Sequence, residues 1–318
     1  MDVENRRMSD AELIEKINEL KKEKGAVILA HYYQQGPVQD IADHIGDSLA
    51  MAQYAATLKD AKIIVICGVH FMGETAKLLC PDKKVLIPDM DAGCSLADSC
   101  PPEEFAKFIE AHPGHTVVSY VNTSVGVKAL TDVLVTSGNA RRIIDTLPEG
   151  EKIIFGPDRN LGNYINSTTG RQMLLWDGAC HVHEKFSLEK ILELKKEHPE
   201  AKVLVHPECK KPLTLIADVV GSTAVILKYA KESDAREFIV ATESGILHQM
   251  QKDCPDKTFI PAPPDDQNSC GCNDCSYMKL NTLEKLYRCL RDEAPEITID
   301  PTLAEAARKP IERMLQLS

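Results

Sequence analysis

The chain has 318 residues, of which 43% are apolar and 27% charged, and its formal net charge is −11. That length can bury a sizeable core in one large domain or two to three small ones, and the acidic balance, with Lys and Arg dispersed among acids, excludes the clustered cations of a non-specific nucleic-acid binder. Eleven cysteines, with no secretory leader in view, point away from a disulfide scaffold and toward metal ligation or redox chemistry.

The opening Met1-Asp-Val-Glu-Asn-Arg-Arg carries no apolar stretch behind its charges, and no later run approaches the roughly 20 apolar residues of a membrane span. A cytoplasmic protein with neither a membrane nor a nucleic-acid partner is expected. Ser9 and Glu12 form a capping box ahead of Leu13, Ile14, Ile17 and Leu20, and Gly25 stands where a helix should stop. A buried-strand run, Ala26-Val-Ile-Leu-Ala30, follows, and His31, Tyr32 and Tyr33 come directly after it. Gly46-Asp47-Ser48 can open a helix, Ile63–Cys67 and Val85–Ile87 read as further strands, and the segment closes near Cys94.

The same order of parts recurs twice. Thr116–Tyr120 is followed by Val121, Asn122 and Thr123, then by Thr136-Ser137-Gly138-Asn139, strands at Ile153–Phe155 and Met173–Trp176, and Cys180. Ala201–Val205 is followed by His206, Pro207, Glu208 and Cys209, then by Gly221-Ser222-Thr223, strands at Phe238–Ala241 and Thr258–Ile260, and the group Cys270, Cys272 and Cys275. The separations from His31 to Ser48, Tyr120 to Ser137 and His206 to Thr223 are all 17 positions. Beyond the loop Ala262-Pro-Pro-Asp-Asp266, Asn281 or Thr282 can cap a helix carrying Leu283, Leu286, Tyr287 and Leu290, and Pro301 can begin another.

Strands alternating with helices predict an α/β protein: three homologous αβα units with parallel sheets, related by pseudo-threefold symmetry around a central cavity. The expected units are 1–94, completed by C-terminal helices in 276–318, then 95–180 and 181–275. Ligands of such sheets lie outside the carboxyl ends of the strands, which is where the polar residues cluster. A zinc site would want a second closely spaced cysteine pair, and a ferredoxin four compact cysteines with a following proline, and neither spacing is present. One cysteine per repeat, Cys94, Cys180 and one of the final group, can instead meet at one point. Three thiolates on a 4Fe-4S cluster leave one iron free as a Lewis acid. Cys67, Cys80, Cys209, Cys254 and Cys289 lie in apolar, proline-flanked or helical contexts and read as buried hydrophobes.

The chain resembles the quinolinate synthase A family over essentially its whole length. The resemblance is carried by Ala30-His31-Tyr32-Tyr33-Gln34, Gly46-Asp47-Ser48, Tyr120-Val121-Asn122-Thr123-Ser124 and Pro157-Asp158-Arg159-Asn160-Leu161-Gly162. It continues through Trp176 to Glu184, His206-Pro207-Glu208-Cys209, Gly221-Ser222-Thr223 and Cys275-Ser276-Tyr277-Met278-Lys279. The resemblance implies a central 4Fe-4S cluster held by Cys94, Cys180 and Cys275. Cys270 and Cys272 are then rival ligands or a reversible disulfide pair, although their one-residue gap departs from the C-x-x-C-x-x-C spacing common in the family. The implied reaction joins iminoaspartate to dihydroxyacetone phosphate, releasing phosphate and two waters, to give quinolinate for NAD synthesis. An imine-producing aspartate oxidase or dehydrogenase is the implied functional partner.

That chemistry moves protons at several carbons and binds anions. Tyr33, His31 and Glu208 are the expected acid/base groups. Ser48, Ser137, Ser222 and Thr223 stand at expected helix N-termini, where N–H groups and the helix dipole favour carboxylate or phosphate. Tyr120, Asn122, His183 and His206 complete the expected substrate contacts, and Glu184 is expected at the surface. The residues alone leave two other classes open: a 4Fe-4S hydro-lyase acting on a hydroxy acid, and an iron-sulfur redox sensor.

Overall fold

The computed structural model describes residues 8–265 and 273–318. Its α/β architecture is three parallel four-stranded sheets, each flanked by helices. The first sheet holds β1 (Ala26–His31), β2 (His44–Gly46), β3 (Ile63–Cys67) and β4 (Lys84–Leu86). The second holds β5 (Thr116–Tyr120), β6 (Val133–Val135), β7 (Ile153–Gly156) and β8 (Leu174–Leu175). The third holds β9 (Lys202–Val205), β10 (Val219–Val220), β11 (Glu237–Ala241) and β12 (Thr258–Pro261). The spatial orders, β2-β1-β3-β4, β6-β5-β7-β8 and β10-β9-β11-β12, are the same permutation three times.

Apolar continuity made the longer strands legible. Every residue of β3 and β7 is buried, as expected of parallel strands covered on both faces. The short edge strands β2, β6 and β10 escaped the sequence reading, because two or three residues carry no period. An aspartate before each of them fixes its place. Asp43 accepts the N–H of Ile28 at 2.8 Å and donates its own N–H to the Ile28 carbonyl at 2.9 Å. Asp132 does the same to Val117, at 2.7 and 2.9 Å, and Asp218 to Val203, at 2.8 and 2.9 Å.

The helix Asp10–Lys24 carries the expected capping box and ends at Gly25 in the left-handed region, with φ 60°. Its Leu13 and Ile17 pack with Leu283, Leu286 and Leu290 of the helix Leu283–Asp292, which Thr282 caps. The last helix, Pro301–Leu317, lies against β6 and the helix Val125–Ala129 of the second sheet as well as the helix His70–Leu79 of the first. The C-terminal segment therefore joins two sheets. Among the described residues no helix is long and apolar enough to cross a membrane.

Candidate active site

The carboxyl ends of the three first strands face one cavity. Where β2 and β10 end, a glycine lets the next helix start hard against the sheet. A Cβ on Gly46 would stand 2.7 Å from Ala50 Cβ, and one on Gly221 2.4 Å from Val225 Cγ1. The helices Ser48–Thr57 and Thr223–Glu232 begin there, capped by Asp47 and Ser222, whose oxygens accept the Ala50 and Val225 N–H groups at 3.0 and 3.4 Å. The second unit has Val135 at the equivalent place, and its helix starts later, at Ala140.

Asp47, not Ser48, is therefore the cap of the first of these helices. Ser48, Ser137 and Thr223 all line the cavity, whereas Ser222 spends its hydroxyl on the cap. Asn122 lines it too, and its buried Oδ1 has no hydrogen-bond partner among the described residues, an acceptor left for a ligand. Lys128, which the sequence reading missed, holds the loop that carries Asn122. Its buried ammonium donates to the Val121 carbonyl at 3.0 Å and also to that of Thr123, and burial lowers its pKa to about 8.

At the centre, Glu208 is 3% exposed and binds two neighbours. Its Oε1 accepts the Tyr120 hydroxyl at 2.6 Å, and its Oε2 stands 3.0 Å from His183 Nδ1. Burial pushes this carboxyl up, but His183, His206 and the Tyr120 hydroxyl outweigh it and hold the group at about 2. The imidazole of His206 stacks on that of His183 with centroids 4.7 Å apart. His31 Nδ1 accepts the Tyr33 N–H at 3.1 Å, and His206 Nδ1 accepts the Glu208 N–H at 3.4 Å, so each neutral ring carries its proton on Nε2. Burial, reinforced by His206, lowers His31 to about 3, and burial with His183 nearby lowers His206 equally, against the pull of Glu208.

The Tyr33 hydroxyl lies 3.0 Å from Thr223 Oγ1 and 2.7 Å from Thr242 Oγ1, and burial together with the Glu208 charge holds this phenol well above its ordinary pKa. Burial does the same to Tyr120. Both phenols are therefore neutral donors near neutral pH. Thr242 also meets His183 Nε2 at 3.0 Å, a contact no sequence signal marked. His183 is buried, while Glu184 is partly exposed and pairs with Arg159 at 3.2 Å and Asn160 at 2.5 Å.

Cys94, Cys180 and Cys275, distant in sequence, all line this cavity, and the Cys94 thiol is close enough to those of Cys180 and Cys275 to raise their pKa or be raised in turn. The backbone N–H groups two and three positions on, those of Leu96 and Ala97, Val182 and His183, and Tyr277 and Met278, favour each thiolate. Burial nonetheless pushes all three thiols up, Cys94 to about 12. Three converging soft donors in such a pocket suit a group that brings its own positive charge, as an iron-sulfur cluster does. Cys180, His183 and Glu208 also bring ligand atoms within 4.8 Å of one another. Cys67, Cys80, Cys209, Cys254 and Cys289 are buried, as is Cys100. Cys270 and Cys272 lie outside the described residues.

A family profile described as Quinolinate synthetase A protein matches residues 15–316 of the chain. Proteins named Quinolinate synthase are similar over nearly the full length. One from Microcystis aeruginosa is 56% identical over 314 residues, covering 99% of this chain and 98% of the relative. One from Synechococcus sp. is 56% identical over 308 residues, covering 97% and 96%. One from Synechocystis sp. is 55% identical over 307 residues, covering 96% of each.

Proposed function

The chain belongs to the quinolinate synthetase A family, and from that premise we propose that it is a quinolinate synthase of NAD biosynthesis, condensing iminoaspartate with dihydroxyacetone phosphate. The observation that carries the reading is the convergence of Cys94, Cys180 and Cys275 on the cavity that also holds His31, Tyr33, Tyr120, His183, His206 and Glu208. A 4Fe-4S cluster on those three cysteines would supply, at its iron without a protein ligand, Lewis acidity toward a substrate hydroxyl or carboxylate.

The chain's own groups account for the rest of the chemistry. No Lys or Arg lines the cavity among the described residues, so anionic substrates are bound by dipoles rather than cations. Ser48 and Thr223 present hydroxyls at the N-termini of ten-residue helices, where free N–H groups and the helix dipole favour phosphate or carboxylate. Ser137, Asn122 and the Nε2–H groups of His31 and His206 add donors and acceptors. Tyr33, as a neutral phenol, donates a proton to a departing oxygen, and Glu208, ionised, accepts one from carbon either directly or through His183 or Tyr120. The two groups are in opposite protonation states in one cavity, which elimination and ring closure both require.

The unstable imine has to be supplied by an aspartate oxidase or dehydrogenase. Anaerobic incubation of the iron-loaded chain with iminoaspartate generated in place and dihydroxyacetone phosphate tests the reading. Quinolinate and phosphate in equal amounts are expected. Cluster uptake with no quinolinate would return the protein to the hydro-lyase or sensor classes.

A further inference from the structure

Two of the three cysteine loops are tied down by a buried carboxylate, and the third is not. Asp158, two residues past β7, accepts the Leu161 N–H on Oδ1 at 2.8 Å and, 22 residues along the chain, the Cys180 N–H on Oδ2 at 3.1 Å. Glu243, two residues past β11, accepts the Gly245 N–H on Oε2 at 2.7 Å and the Cys275 N–H, 32 residues away, on Oε1 at 2.9 Å. Lys279 pairs with that same Oε1 at 2.8 Å. Both acids are 0% exposed. The matching place past β3 holds Val69. The first loop is fastened otherwise: the Ala92 carbonyl accepts the His70 N–H at 2.7 Å, and Ser95 Oγ meets His181 Nδ1, in the second loop, at 2.6 Å.

A buried carboxylate is costly, and packing alone is better served by an apolar residue, as Val69 shows. What the acid adds is two acceptors on one rigid fork. An Asn or Gln of the same shape has one oxygen and would turn an NH2 toward one of the two N–H donors. Anchoring a cysteine's N–H to a strand end fixes the direction of its Cα–Cβ bond, and so the place of its sulfur.

We propose that Asp158 and Glu243 are positioning residues that hold the Cys180 and Cys275 loops in the geometry that receives the cluster, while the Cys94 loop depends on its Ser95–His181 link to the second loop. The inference rests on the reading that the three cysteines share one cluster. Its test compares Asp158→Asn, Glu243→Gln and, as control, Asp132→Asn, whose carboxylate serves the Val117 N–H at the other end of the second sheet. After anaerobic reconstitution, iron release to a chelator should be about 10- to 100-fold faster in the first two variants. The electron paramagnetic resonance spectrum of the reduced cluster should shift in them also. The control should match the parent in both measurements.

In cluster-free protein, alkylation followed by mass spectrometry should show Cys180 becoming more reactive in Asp158→Asn, with Cys94 following it through the Ser95–His181 link and Cys275 unchanged, and Cys275 alone becoming more reactive in Glu243→Gln. Parental release rates, spectra and alkylation in both variants would overturn the inference and leave the proposed function standing. Uniform exposure of every cysteine in both variants would also overturn it, because the acids would then hold the fold rather than the loops. A parent chain that takes up no cluster would overturn the proposed function and this inference together.

Discussion

The two ends of the three sheets obey different rules. Toward the amino ends of β1, β5 and β9, the units are chemically identical: Asp43, Asp132 and Asp218 each close a reciprocal pair of hydrogen bonds with a residue of the first strand. At the carboxyl ends the same backbone geometry presents His31, Tyr120 and His206, with Tyr33, Asn122 and Glu208 two residues beyond. One end is repeated because each unit needs the same latch to hold its edge strand. The other has diverged because a single cavity needs three different sets of groups. Repetition here marks what the fold requires, and difference within the repeat marks what the chemistry requires.

The largest effect is expected at the diverged end. Glu208→Gln should lower quinolinate formation by about 10²- to 10⁴-fold, the range of a lost acid/base group, with cooperative thermal unfolding retained. Activity within a factor of two of the parent would remove Glu208 from the chemistry and weaken the contrast between the two ends.

A second effect concerns the buried histidines. In the folded chain His31 and His206 refuse a proton until about pH 3, against 6.5 for an ordinary histidine. Between those values the unfolded chain binds more protons, so these two groups favour folding above pH 6.5 and lose that contribution as pH falls toward 3. Each adds about 1.4 kcal/mol per pH unit to the slope of stability within that window. Urea unfolding of the cluster-free chain between pH 5 and 6.5 should show His206→Gln with a shallower slope than the parent; equal slopes would place a charged His206 in the cavity.

The smallest effect is expected at the repeated end. Asp43→Ala, Asp132→Ala and Asp218→Ala should each cost about 1.5–3 kcal/mol in urea unfolding, the range for a hydrogen bond to a charged acceptor, and leave turnover per folded molecule unchanged. A folded variant among them that lost turnover would show the two ends to be coupled.

Much of this was legible in the sequence, and the comparison explains which parts were not. The longer strands and the 17-position spacing from strand end to helix start gave the three-unit fold. The aspartate latch left an equally regular trace that went unused: Asp43, Asp132 and Asp218 each follow His31, Tyr120 and His206 by 12 positions. Single acids within polar loops look like solvated turns unless the repeats are aligned. Asp158 and Glu243 were harder, because their counterpart is Val69 and alignment of the three units shows no common residue type. Thr242 carried no signal, since its contacts with Tyr33 and His183 cross units, and Lys128 none, since a helical lysine five and seven positions from the carbonyls it binds looks like any solvated one. His183 was expected at the site only through the resemblance, because nothing local distinguishes it from Glu184; the third dimension separates the buried ring from its partly exposed neighbour.

The central claim is that three units each contribute one thiolate to a common cluster. Iron and sulfide content after anaerobic reconstitution of Cys94→Ala, Cys180→Ala and Cys275→Ala, beside Cys100→Ala, tests it most directly. The parent and Cys100→Ala should carry about four irons and four sulfides per chain, and each of the other three variants should fail to hold an intact cluster. A full cluster in any of those three would contradict the account.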